Sequence, residues 1–126
     1  MEAKIANIAI IGARERTDQE TVDRLVEGFP ADTILVSGGA PGPDTWAEEA
    51  ARKRGLATLI FAPDLEGARS QGQITRRKHK RNQLIVDAAD EVIALVSADR
   101  TGGTEDTIER AKRKGIPIKL IFEEKI

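Results

Sequence analysis

The feature that most constrains this chain is a regular alternation of short apolar runs with segments of helical period. Lys4 to Ile11 is a largely apolar run ended by Gly12-Ala13-Arg14. Thr17-Asp18-Gln19-Glu20 then reads as a capping box, and Val22, Leu25, Val26 and Phe29 follow at i, i+3, i+4 and i+7 before Pro30 closes the helix. Thr33 to Val36 predicts a second strand, running into the loop Ser37–Asp44. A helix with Trp46, Ala47, Ala50 and Ala51 inward ends at Gly55, and Leu56 to Phe61 predicts the third strand. Asp64 to Ile74 lacks an apolar period and predicts a loop. Thr75 to Ala89 predicts a helix with Leu84, Ile85, Ala88 and Ala89 packed inward. Glu91 to Val96 is the fourth strand, and Ser97 to Gly103 a loop. Thr104 caps a helix that runs to Lys114 and Gly115. Ile118, Leu120 and Phe122 alternate with Lys119 on a last strand, which Pro117 marks as an edge.

Apolar strands separated by helices mean a parallel sheet covered on both faces. Right-handed crossovers leave few topologies. The fold expected is a Rossmann-like, doubly wound α/β domain with a five-stranded parallel sheet in the order 3-2-1-4-5. At 126 residues, residues 1–126 are expected to form one domain.

Composition removes whole classes of chemistry. There is no cysteine and one histidine, which excludes disulfides, thiolate metal sites and clusters of histidine ligands, and argues against a Ser-His-Asp hydrolase. No metal and no cofactor is expected. A net charge of −1 argues against a protein that coats nucleic acid, so a nucleic-acid partner ranks low. No membrane segment or targeting signal is visible, and a cytoplasmic location is the default expectation.

In such a sheet, ligands bind beyond the carboxyl ends of the strands. Three glycine-rich segments fall there: Gly12-Ala13-Arg14, Ser37-Gly38-Gly39-Ala40-Pro41-Gly42-Pro43-Asp44, and Thr101-Gly102-Gly103-Thr104. Glycine lets backbone N–H groups approach an anion, and helix N-termini favour negative charge. Any one of these loops is explained by tight turns alone; three at one edge beside Arg14 point to a phosphate-bearing ligand. Gly39 and Gly103 are expected to approach the phosphate closely. The run Arg76-Arg77-Lys78-His79-Lys80-Arg81 would place positive charge at a helix start, against the dipole. Arg81, followed by Asn82, is the member expected to point inward, paired with Glu105, Asp106 and Glu109 when no ligand is bound. His79 is expected to be solvated. Glu109 could reach the ligand edge as a general acid/base or a ribose hydroxyl acceptor, but an exposed i,i+4 pair with Arg113 is the favoured reading. Asp44 is either a helix cap or a ligand contact.

These segments together resemble the SLOG superfamily. The likeness spans nearly the whole chain and is nearest to small bacterial stand-alone members with GSR, SGGARGAD, RN and GTxxTIxxA signatures. The resemblance implies a Rossmann-like fold and a role in binding nucleotides or nucleotide-derived ligands, as a sensor or regulatory module. It implies ligand contacts from Gly12, Ala13, Arg14, Ser37, Gly38, Gly39, Gly42, Asp44, Arg81, Asn82, Gly102, Gly103 and Thr104. More distantly the chain is similar to lysine-decarboxylase-like phosphoribohydrolases, which cleave the N-glycosidic bond of nucleoside monophosphates; that likeness puts Arg81 and Glu109 on the catalytic pair. The superfamily also includes DNA-processing protein A, which makes DNA binding a third expectation. A homodimer is implied as well. Ala13 stands where the family has Ser, Pro41 where it has Arg, and Pro43 where it has Ala.

Overall fold

A strand with an unbroken apolar run has to be covered on both sides, and β1 (Asn7–Gly12), apolar from Ile8 to Ile11, meets that demand at the centre of the sheet. The structure, a computed structural model, describes residues 6–123; the first two residues of the expected strand, Lys4 and Ile5, lie outside them. Along the chain β1 is followed by α1 (Gln19–Glu27), β2 (Ile34–Ser37), α2 (Pro43–Arg54), β3 (Ala57–Ile60), α3 (Gln71–Ala88), β4 (Glu91–Leu95), α4 (Gly103–Lys114) and β5 (Ile118–Ile121). The strands are all parallel and run in the order β3-β2-β1-β4-β5.

The two-residue period of a strand divides the core. Ile8 and Ile10 of β1 join Leu35, Ile93 and Leu95 beneath Val22, Val26, Ala47 and Ala51 of α1 and α2. Ala9 and Ile11 point the other way, with Val36, Val92 and Ala94, against Ile85, Val86, Ile108 and Ala111 of α3 and α4. The coverage fails at one edge. Leu59 and Ile60 of β3 are 38% and 40% exposed, because α3 packs over β1 and β2.

Several boundaries differ from the sequence reading, each for a local reason. Helix α3 begins four residues before Thr75: Ser70 accepts from the Gln73 backbone N–H at 3.1 Å while the Gln73 side chain accepts from the Arg69 N–H. This Ser-x-x-Gln cap works without any apolar period behind it. The basic run therefore lies in the helix interior, and the expected conflict with the dipole at a helix start does not arise. Leu84 is 47% exposed, and Val86 takes the inward place expected for it. Thr17 does not cap α1; Asp18 is its N-cap residue. Gly102 is the N-cap of α4, so Thr104 falls inside the first turn. Phe122 lies past the end of β5 and is 60% exposed, with Arg100 over its ring.

The capping box at Thr17 gives way to Arg16, whose side chain is fully buried. Its Nη1 donates to the carbonyls of Val96 and Ile121, both at 2.9 Å, at the ends of β4 and β5. Its Nε and Nη2 form a fork on the Asp18 carboxylate at 2.8 and 2.6 Å. The bond to Asp18 raises the Arg16 pKa, and the same bond lowers that of Asp18. One side chain thus joins the β1–α1 connection to two strand ends. Arg16→Ala is expected to destabilise the fold by about 3 kcal/mol, since it strands the Val96 carbonyl, leaves that of Ile121 with only the Val96 N–H, and removes the partner of Asp18. Asp18→Asn, which leaves both carbonyl bonds in place, should cost less than half of that. Urea unfolding of the two variants checks the order, and equal losses would deny the carbonyl bonds their part.

Candidate functional site

The loops after β1, β2 and β4 meet α3 above the carboxyl edge of the sheet, around a cleft of about 420 Å³. Glycine permits the meeting. A Cβ on Gly12 would lie 2.5 Å from Pro43 Cγ, so α2 can start against the end of β1 only if residue 12 has no side chain. Gly42, at φ +95°, is needed for a different reason, since its left-handed backbone strains any side chain.

Behind the cleft sits a buried polar knot. Arg81 Nη1 donates to the carbonyl of Gly38 and, at 3.3 Å, to that of Phe61; its Nε donates to Asn82 Oδ1 at 2.9 Å. Asp44 Oδ2 accepts from the backbone N–H of Gly38 at 3.2 Å and of Ala40 at 3.4 Å. Asp44 is 5% exposed, and burial pushes its pKa up to about 6 despite those two bonds and the charge of Arg81. Burial also lowers the Arg81 pKa, against the pull of Asp44. The counter-charge of Arg81 is therefore Asp44 and not the acids of α4. Glu105 is held by Arg100 in a fork at 2.7 and 2.8 Å, and Asp106 by Arg110 at 2.8 Å and Asn82 at 3.1 Å. Burial favours protonation of Asp106, but the bonds from Arg110 and Asn82 outweigh it and hold the pKa low.

Of the residues expected to contact a ligand, Gly12, Ala13, Arg14, Asp44, Arg81, Asn82, Gly102, Gly103 and Thr104 line the cleft. Ser37, Gly38, Gly39 and Gly42 do not. Ser37 is fully buried and its hydroxyl donates to Glu48 Oε2 at 2.6 Å, which removes it as a donor to phosphate. Gly38 is needed for packing, since a Cβ there would stand 2.8 Å from Arg81 Nη1. Gly39, at φ +71°, faces Ile60 at 3.4 Å. Glu109 is exposed and outside the lining. His79, expected to be solvated, is half-buried with Nδ1 3.8 Å from Asp106.

Sequence reading missed Lys78 and the turn Ser97–Thr101, which also line the cleft. Asp99 accepts from the Ser97 hydroxyl at 2.9 Å and from both the hydroxyl and N–H of Thr101, which lowers its pKa. Ser-x-Asp-x-Thr was a readable signal for such a turn. No side chain caps α4, so its first-turn N–H groups and dipole open on the cleft at Gly102–Thr104. Among the described residues no cluster of three or more His, Asp or Glu could hold a metal ion.

Residues 6–67, from β1 to the connection after β3, match the family model described as the YspA, cpYpsA-related SLOG family (YAcAr). Over that stretch the chain carries a SLOG-family domain. Its fold is shared by DNA processing protein A (DprA) from Streptococcus pneumoniae, at 22% identity and a TM-score of 0.79 over 97% of this chain. The chain spans 52% of the length of that structure. A more remote likeness is to the C-terminal domain of the PF1911 hydrogenase from Pyrococcus furiosus, at 16% identity and a TM-score of 0.52, over 94% of this chain and 92% of that one. No curated protein matches the sequence.

Asp44 gives the site a pH signature. Its folded-state pKa of about 6 lies above the ordinary 3.8, so the folded protein holds that proton more tightly than the unfolded chain. This contribution to stability is fully present below about pH 4 and is lost as the pH rises through about 6. Asp44→Asn retains an oxygen for Gly38 and Ala40 without the buried charge. From pH 4 to pH 7 the variant should gain roughly 3 kcal/mol relative to the parent, at about 1.4 kcal/mol for each pH unit between the unfolded and folded pKa. Urea unfolding across that range checks it; parallel curves would mean the carboxylate is fully compensated.

Proposed function

We propose that the cleft binds a nucleotide or nucleotide-derived ligand through its phosphate, and that the protein acts as a sensor or regulatory module in a cytoplasmic setting. The observation that carries this reading is the convergence of Arg14, Lys78 and Arg81 with an uncapped helix N-terminus in one cleft. Of the acids in that region, Glu15 and Asp99 line the cleft, with Asp99 engaged by Ser97 and Thr101, and the others are compensated. Glu105 and Asp106 are paired with arginines, and Asp44 is buried beside Arg81 with its pKa raised. The volume of about 420 Å³ suits a small ligand. Among the described residues no helix is long and apolar enough to cross a membrane.

The glutamate that the phosphoribohydrolase likeness would make catalytic, Glu109, stands exposed outside the cleft, which ranks N-glycosidic cleavage second. Free base released from a panel of nucleotides would restore that reading. DNA processing is the role named for one structural neighbour; for this chain a net charge of −1 ranks a small nucleotide above DNA.

Gly103 gives a clean test. A Cβ there meets no protein atom within 4 Å and its φ is not positive, so Gly103→Ala intrudes on the cleft alone. It should leave stability within about 0.5 kcal/mol of the parent while weakening nucleotide binding. Arg81→Ala should weaken binding by about 1.5–3 kcal/mol, the scale of a charged hydrogen bond. Calorimetric titration with nucleoside monophosphates reads both, and unchanged affinity in Gly103→Ala would move the phosphate elsewhere.

We propose further, on the family resemblance, that two copies pair. The exposed Leu59 and Ile60 of the edge strand β3 offer apolar surface for the contact. Sedimentation at high concentration should show twice 13.7 kDa, and a species of 13.7 kDa alone would remove the claim.

A further inference from the structure

Helix α3 winds its basic run onto two faces. Lys78 and Asn82 line the cleft already described, whereas Arg76, Lys80 and Leu84 line a second groove of about 650 Å³ on the other side of the helix, next to Ala62. Arg81 lies on the boundary and lines both. Among the described residues its Nη2 makes no hydrogen bond, while Nε and Nη1 are committed to Asn82, Gly38 and Phe61. The guanidinium is thus fixed by two of its nitrogens and keeps a third for an anion between the two cavities.

We propose that the ligand is a dinucleotide, two nucleosides joined through phosphate, with the linking phosphate at Arg81 and the second nucleoside in the groove. The inference rests on the reading of the first cleft as a nucleotide site. Three observations carry it. Each cavity has the volume of a separate small-ligand pocket, and one mononucleotide would leave the groove empty. Arg76 and Lys80 make no ion pair or side-chain hydrogen bond among the described residues, so two cations of the groove have no counter-charge. Arg77, by contrast, donates to the carbonyls of Asp64 and Glu66 and lies 4.0 Å from the Asp64 carboxylate; it holds the wall and neutralises the one acid there. Finally, Leu84 is 47% exposed and, with Ala62, gives the groove an apolar surface for the face of a base.

The four nucleoside 5′-monophosphates and the four 5′-phosphorylated homodinucleotides, titrated calorimetrically at one salt concentration, test the proposal. For the preferred base the dinucleotide should bind about tenfold tighter than the monophosphate, a difference of about 1.4 kcal/mol. Lys80→Glu and Leu84→Glu should each abolish that gain and leave monophosphate affinity unchanged. Both residues are exposed, and far-UV circular dichroism checks that the fold is intact. Monophosphate binding with no gain from the second nucleotide, or equal losses of both ligands in Lys80→Glu, would overturn the groove while the cleft stands. Absence of binding by either ligand would overturn the cleft and the groove with it. Affinity that rises with oligonucleotide length without limit and vanishes in moderate salt would show a diffuse basic surface, and would overturn the dinucleotide as well.

Discussion

The carboxylate of Asp44 beneath Arg81 is the constraint on which the ligand edge depends. It is buried where a charge is costly, and the structure compensates with two backbone N–H groups and one guanidinium. Because Asp44 opens α2 and Arg81 belongs to α3, their proximity ties the two helix layers together across the ends of the strands. Gly38 sits between them, and a Cβ there would have to shift the Arg81 guanidinium. The loop after β2 is therefore rigid scaffold, while the loops after β1 and β4 and the inner face of α3 remain to contact a ligand.

Charge placement around the cleft follows one pattern. Acids near the uncapped start of α4 stabilise that helix through its dipole, yet each would repel an anion. Arg100 and Arg110 resolve the conflict by taking Glu105 and Asp106 in short bonds. Arg14, Lys78 and Arg81 then line the cleft together with the acids Glu15, Asp44 and Asp99. Lys78 and Arg81 are three residues apart on one helix, a spacing that puts both on the same face.

The legibility of the site was uneven for identifiable reasons. Arg81 and Asn82 were readable because they adjoin the apolar end of a helix whose inward face is set by Ile85. Lys78 was hidden because it stands in an unbroken basic run, Arg76 to Arg81, in which nothing marks the member that faces inward. Ser37 shows the opposite failure. Its place in a glycine-rich loop predicts a phosphate donor, but Glu48, one helical layer away, claims the hydroxyl. Glu109 fails for a similar reason: the position in α4 that meets the core is set by Ile108, which turns its neighbour to solvent.

The sequence by itself determined the element order, the parallel sheet, the 3-2-1-4-5 arrangement and the edge where the loops gather. These follow from periods of two and 3.6 residues and from the handedness of crossovers, which are local or nearly local properties of the chain. Only the tertiary structure decided which polar groups face the cleft and which are consumed as scaffold. That choice depends on hydrogen bonds between residues far apart in sequence, such as Arg81 with Gly38 and Arg16 with Val96 and Ile121. A polar side chain carries the same donors wherever it stands, and burial beside a particular partner determines where they are used.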